Sequence, residues 1–252
     1  MTYFQAQRFE ILPPVVKNIL IINGLFFLAT LALGSMNLNL YDIFGLHYWT
    51  SNKFEIWQII SHMFMHGDFT HLFFNMFAVW MFGSQLENLW GSKRFLNYYL
   101  LTGLGAAFLQ LLIVHFIEKP IHPEWWIQNY TMVGASGCLF GLLIAFGLLF
   151  PNTRLFFIFI PFPIKAKYFV MIYGIAELFS GVQNVVGNNG DNIAHFAHLG
   201  GMIFGFLIII SAIFQNYLFT NNYEEIWDTK LSLVGLFNWI PLIWVFWASQ
   251  PY

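Results

Sequence analysis

A chain of 252 residues that is 58% hydrophobic, 21% aromatic and only 9% charged is too poor in charge for a soluble domain and belongs in a bilayer. Its formal net charge of −2 offers no basic field to a nucleic acid. A single cysteine, Cys138, excludes an internal disulfide.

Several apolar runs reach the ~20 residues that a helix needs to cross a roughly 30 Å hydrocarbon layer, whereas a β-barrel would show short alternating segments. The fold class is therefore an all-α, polytopic membrane helical bundle. Residues 1–15 place acidic and aromatic residues ahead of Pro13 and Pro14, with no small-residue cleavage site after the first apolar run, and read as a retained cytoplasmic lead-in. Six crossings follow, at about 16–36, 69–90, 95–117, 133–150, 167–187 and 193–215, giving a membrane domain over 16–215. The connection 37–68 is rich in Trp, Tyr and Phe, which suit the headgroup region, and is expected to be an interfacial loop with short helices. Residues 216–252 form a C-terminal extension. Within it a candidate seventh segment, 231–248, is interrupted by Asn238 and Pro241 and either spans or lies in the interface.

Basic residues are retained on the cytoplasmic side. With the N-terminus inside, Arg8, Lys17, Lys93, Arg94, Arg154, Lys165, Lys167 and Lys230 are cytoplasmic, against Lys53 and Lys119 outside. Gly137 with Gly141, and Gly201 with Gly205, are G-x-x-x-G pairs that let backbones approach closely. They make the fourth and sixth crossings natural partners.

Polar residues inside a crossing cost free energy and need a reason. They gather in "HMFMHGDFTHLFFN", "VGASGCLFG" and "NIAHFAHLGGMIFG", which open the second, fourth and sixth crossings. At about 1.5 Å per helical residue, Ser136, Asn75 and His198 stand roughly 22 to 26 Å above the cytoplasmic ends. That common level is a few ångströms below the outer surface of the hydrocarbon layer. A serine needs an adjacent base to act as a nucleophile, and a histidine titrates near neutrality. The negative oxygen of a tetrahedral intermediate needs donors. Ser136, at the first turn of its helix, offers free backbone N–H groups; His71 and Asn75, at i and i+4, add side-chain donors. Gly134 lets the backbone pass close to a substrate.

Four linked motifs over residues 55 to 210 resemble the rhomboid intramembrane serine proteases of the bacterial type: "HLFFN" and "GSQLENLWG" in the second crossing, "GASG" at the head of the fourth, and "AHLGGMIFG" in the sixth. The resemblance implies a six-helix bundle, sometimes with a seventh helix, whose serine opens outward through a water-filled cavity. By it Ser136 is the nucleophile, His198 of H-x-x-G its base, and His71 and Asn75 of H-x-x-x-N help form the oxyanion hole with Ser136. Gly83, Glu87 and Gly91 match a structural G-x-x-x-E-x-x-x-G near the cytoplasmic end. Phe140 stands where the family has an aromatic, often Tyr, packed on the histidine, and Gly134, Gly137, Gly201 and Gly205 support the site. Trp57-Gln58 departs from the family's Trp-Arg, so a role carried by that arginine does not transfer.

The expected activity is hydrolysis of a peptide bond in or beside a transmembrane segment of another membrane protein, by a Ser-His dyad without a cofactor. The partners are transmembrane protein substrates and the lipid bilayer, with no nucleic acid, and the location is the bacterial inner (plasma) membrane. His195 is the rival base, but only His198 has glycine, Gly201, three residues on. His62, His66 and His71 lack H-E-x-x-H, so no metal is expected and His62 and His66 are read as structurally hydrogen-bonded. Cys138 is read as a small apolar core residue. Asp191, seven residues before His198, is about 10 Å away along a helix, too far for a third member. Glu177, ionisable and mid-crossing, fits no motif and is read as protonated or hydrogen-bonded within the bundle. The rivals are a rhomboid-like protein that binds membrane helices without cleaving them, and a transporter, which would show internal repeats.

Overall fold

The computed structural model describes residues 9–157, 160–187 and 194–219, and each of the six apolar runs is helical in it. Helix α1 is Pro14–Gly34; α2 (Leu40–Phe44), strand β1 (Leu46–His47), α3 (Gln58–Ser61) and a 3₁₀ turn at His62–Phe64 make the long connection. Helix α4 (Phe69–Ala78) passes through a π-turn, Val79–Gly83, into α5 (Ser84–Trp90); α6 (Ser92–Ile113) ends in a second π-turn, Val114–Glu118. Then come α7 (Glu124–Asn129), β2 (Thr131–Met132), α8 (Ser136–Leu149), a hairpin of β3 (Arg154–Phe157) and β4 (Ile160–Lys165), α9 (Ala166–Gly187) and α10 (His195–Phe219). Among the described residues, Pro14–Gly34, Ser92–Glu118 and His195–Ala212 are long and apolar enough to cross a membrane by themselves. The hairpin was not expected from the sequence, and the candidate seventh segment at 231–248 lies outside the described residues.

Helix α8 is the centre. Every residue from Gly137 to Leu148 is buried, as an all-round apolar helix inside a bundle must be. Its 14 residues reach about 21 Å, short of a roughly 30 Å layer, so the helix does not span such a layer by itself. The outward faces of α1 and α4 carry exposed Leu25, Leu28, Phe73 and Phe74, suited to lipid chains.

Glycines set the spacing of α6, α8 and α10. A Cβ on Gly201 would collide with the Gly137 carbonyl, and one on Gly205 would lie 2.5 Å from the Tyr98 hydroxyl and 3.2 Å from Gly141 Cα. The two G-x-x-x-G pairs thus face each other, as their spacing predicts. The Tyr98 hydroxyl donates to the Gly141 carbonyl at 2.7 Å, tying α6 to α8.

At the start of α1, Pro14 has no N–H to give, and the next two amide N–H groups, of Val15 and Val16, donate to Glu87 Oε1 and Oε2 at 2.9 and 2.8 Å. A carboxylate here answers both the orphan donors and the positive end of the helix dipole. The Ser92 hydroxyl adds a third bond to Glu87 Oε1 at 2.6 Å. Gly91, at φ +79°, makes the turn between α5 and α6 that a side chain would strain, and a Cβ on Gly83 would lie 3.1 Å from Val16 and Phe95. Gly83, Glu87 and Gly91 thus lock α1, α5 and α6 together.

The long connection is pinned over the bundle. Strand β1 pairs antiparallel with β2, Leu46 opposite Met132 and His47 opposite Thr131. Buried Gln58 accepts from the His47 N–H at 3.3 Å and donates to the Lys53 carbonyl at 2.8 Å, while the Trp57 indole N–H donates to the Ile43 carbonyl at 2.9 Å. Gln58 therefore ties the loop by neutral bonds at the place of the family's arginine. His62 donates from Nδ1 to the Gln58 carbonyl at 2.8 Å, and burial pushes its ring down to about 4.

Two tests follow from these ties. Glu87→Ala strands two amide donors and should cost about 1–3 kcal/mol, read as a lower thermal transition of the detergent-solubilised protein; an unchanged transition would refute the lock. For His62, the folded ring resists a proton that the unfolded ring takes at about 6.5. Its contribution is complete above that pH and is lost as pH falls toward 4, so backbone deuterium exchange in residues 45–66, corrected for intrinsic rates, should speed up between about pH 7 and 4.5.

Candidate active site

Helix α8 starts abruptly because Gly134, at φ +127°, bends the chain in a conformation that side chains rarely adopt. The Gly134 N–H donates to the His62 carbonyl at 2.9 Å, so the loop fixes the approach to Ser136. A Cβ on Gly134 would lie 2.9 Å from His71 Nε2 and 3.6 Å from Ser136 Oγ; the imidazole of His71 and the serine hydroxyl share one small space. His71 is set by the cap of its own helix, where Asp68 Oδ1 accepts from the His71 N–H at 2.9 Å. One turn further on α4, Asn75 is buried, and its Nδ2 has no hydrogen-bond partner among the described residues.

Opposite these groups, α10 presents His198. Its Nε2 lies 2.8 Å from Ser136 Oγ. Phe140, one turn after Ser136 on α8, stacks on the imidazole of His198 at 4.3 Å between centroids and 9° between planes. The ring position read as an aromatic support thus lies flat on His198. Tyr173 of α9 stacks in turn on Phe140, at 5.1 Å and 26°.

His195, one turn before His198, faces Glu177 of α9, with Nδ1 2.6 Å from Oε2. The same oxygen lies 2.8 Å from His198 Nδ1. Glu177, which no motif had claimed, stands directly behind the histidine that meets the serine. The available signal was generic: an ionisable residue in mid-crossing. Asp191 lies outside the described residues.

The donor atoms of Glu177, His195 and His198 all lie within 4.8 Å of one another, close enough to ask whether they hold a metal. Ligand atoms around tetrahedral zinc stand about 3.3 Å apart. Separations of 2.6 and 2.8 Å are those of N–H donors on a carboxylate, and fit hydrogen bonding better than ligation. His62, His66 and His71 do not converge as a ligand set: His62 bonds a carbonyl, and His66 packs edge-on to His71 at 4.9 Å. Here the structure departs from the expectation for His66, whose two ring nitrogens are buried without a partner among the described residues. Cys138 is buried in the main apolar cluster.

A family model described as the rhomboid domain matches residues 53–214, which include all these groups. The chain is 30% identical over 205 residues to "Putative rhomboid protease YdcA" of Bacillus subtilis, covering 80% of this chain and 90% of that one. It is 30% identical over 152 residues to "Rhomboid protein 1, mitochondrial" of Saccharomyces cerevisiae, 60% of this chain and 40% of that protein. With "Rhomboid protease GluP" of B. subtilis it shares 29% identity over 187 residues, 72% of this chain and 31% of that protein. The chain thus spans nine-tenths of the first relative and less than half of the other two. A domain match over more than half of the chain, on the helices that bring a serine against a histidine, leaves one assignment: the chain belongs to the rhomboid family.

Proposed function

We propose that this rhomboid-family protein is an intramembrane serine endopeptidase in which Ser136 is the nucleophile and His198 its base, acting on transmembrane segments of other membrane proteins. The observation that carries the reading is the 2.8 Å contact between Ser136 Oγ and His198 Nε2 at the mouth of α8. His198 Nε2 takes the hydroxyl proton as Oγ bonds to the scissile carbonyl carbon, and the carbonyl π pair moves to its oxygen. The oxyanion then meets the unpaired Asn75 Nδ2, the His71 ring and backbone N–H groups at the first turn of α8. The proton passes from Nε2 to the departing amine as the C–N bond breaks, leaving an acyl-enzyme that water hydrolyses by the same steps in reverse order.

A transmembrane helix hides its carbonyls in its own hydrogen bonds, so substrates with small or helix-breaking residues near the outer face are preferred. The distribution of Lys and Arg supports a cytoplasmic N-terminus and a site opening outward, in a bacterial inner membrane.

Labelling of the folded, detergent-solubilised protein with a fluorescent fluorophosphonate tests the dyad. Wild type is expected to label, while Ser136→Ala and His198→Ala are not; equal labelling of all three would overturn the assignment. Cleavage of a quenched transmembrane peptide by wild type, but not by Ser136→Ala, separates a protease from a protein that only binds membrane helices. Asn75→Ala should lower kcat about 10²–10³-fold with little change in KM; an unchanged kcat would remove Asn75 from the oxyanion hole.

A further inference from the structure

We infer that Glu177 is a positioning residue for His198: its carboxylate holds the imidazole in the tautomer and orientation that leave Nε2 free to accept the proton of Ser136. The inference rests on the protease reading above and adds a third member to its dyad. An imidazole can serve as base toward Ser136 only if Nε2 carries a lone pair, so the ring proton must sit on Nδ1. An ionised carboxylate is an acceptor only, and Glu177 Oε2 lies 2.8 Å from His198 Nδ1, while Nε2 of the same ring lies 2.8 Å from Ser136 Oγ. Serine, imidazole and carboxylate form one line across α8, α10 and α9.

Two further contacts show that this arrangement is built. The same Oε2 accepts from His195 Nδ1 at 2.6 Å, so the carboxylate is held by two donors one turn apart on α10. Glu177 is 7% exposed, and a buried carboxylate without such partners would be expensive. The second contact is through Tyr173, four residues before Glu177 and hence on the same face of α9. It stacks on Phe140, and Phe140 stacks on His198. Helix α9 therefore fixes the imidazole twice, at its Nδ1 edge through Glu177 and at its face through Phe140.

The proton balance gives the carboxylate its part in the reaction. When Nε2 takes the serine proton, His198 becomes an imidazolium with N–H at both nitrogens. Its Nδ1–H stays bonded to Glu177, which keeps its charge and never takes the proton. The positive ring is thus paired in surroundings where an unpaired charge is costly. His195 holds Glu177, while His198 bonds both Glu177 and the Ser136 hydroxyl, which separates the roles of these two histidines.

The test is Glu177→Gln in the full chain, with folding checked by gel filtration. Two readouts are used: the second-order rate of fluorophosphonate labelling, and kcat and KM for a quenched transmembrane peptide that wild type cleaves. Loss of an orienting carboxylate in a serine–histidine site costs about 10²–10⁴-fold in kcat. We expect a loss in that range, an equal slowing of labelling, and KM within about threefold of wild type. A purely structural role would weaken peptide binding without slowing the small probe. Folded Glu177→Gln that labels and cleaves within about threefold of wild type would overturn the inference. If the glutamine variant does not fold, folded Glu177→Asp carries the same readouts: reduced kcat at constant KM supports the inference and unchanged kcat overturns it. Wild type that neither labels nor cleaves would overturn the protease reading itself, an outcome visible without any Glu177 variant.

Discussion

The contact on which the site depends is between two backbones. Where Gly201 passes Gly137 no Cβ fits, because the Gly137 carbonyl occupies its place. Gly137 follows Ser136 directly, and Gly201 is three residues after His198, one turn along the same helix. The separation of Oγ from Nε2 is therefore set by how closely α8 and α10 approach at these glycines. Lipid tails are as apolar as the side chains of the bundle, so no hydrophobic gradient drives the helices together; packing contacts and hydrogen bonds must do it. Small residues allow both here, and the Tyr98 hydroxyl bond to the Gly141 carbonyl adds a directional tie one turn further along α8.

The other wall of the site is set from the loop. The β1–β2 pairing and the Gly134 bond to the His62 carbonyl hold the segment that enters α8, and the Asp68 cap holds His71 at the first turn of α4. The strand pairing and the Gly134 bond are neutral hydrogen bonds, which keep their strength in a poorly hydrated place without the desolvation penalty of an ion pair. Gln58 shows the consequence. An arginine at that position would need its charge answered, whereas the amide both accepts from the His47 N–H and donates to the Lys53 carbonyl.

Much of this was legible in the residues. Six apolar runs became helices because a backbone in lipid must satisfy itself, and the glycine pairs named the touching helices because spacing of four repeats on one face. Ser136, His198, His71 and Asn75 could be named because each sits in a short motif. What was not legible came from contacts that no local pattern encodes. Glu177 meets His198 across 21 residues and two helices, and reasoning along the chain looked for a third member near His198 and found only Asp191. The β3–β4 hairpin was missed because "RLFFIFIPFPIK" is apolar without clear alternation. His66, buried without partners for its ring nitrogens among the described residues, is a departure that sequence could not give.

The burial of Glu177 argues about function as well as mechanism. A glutamate inside a membrane bundle makes insertion less favourable, and an apolar residue would pack α9 against α10 without two histidines to satisfy. In a protein that only bound helices this carboxylate would do no more than accept from two ring N–H groups. On the proposed mechanism hydrolysis does gain, because the imidazole acquires a positive charge as it takes the serine proton, so a fixed negative group stabilises the transition state more than the resting enzyme. The costly residue thus sits, on the proposed mechanism, where its charge pairs with the imidazolium formed when a proton moves from Ser136 to His198.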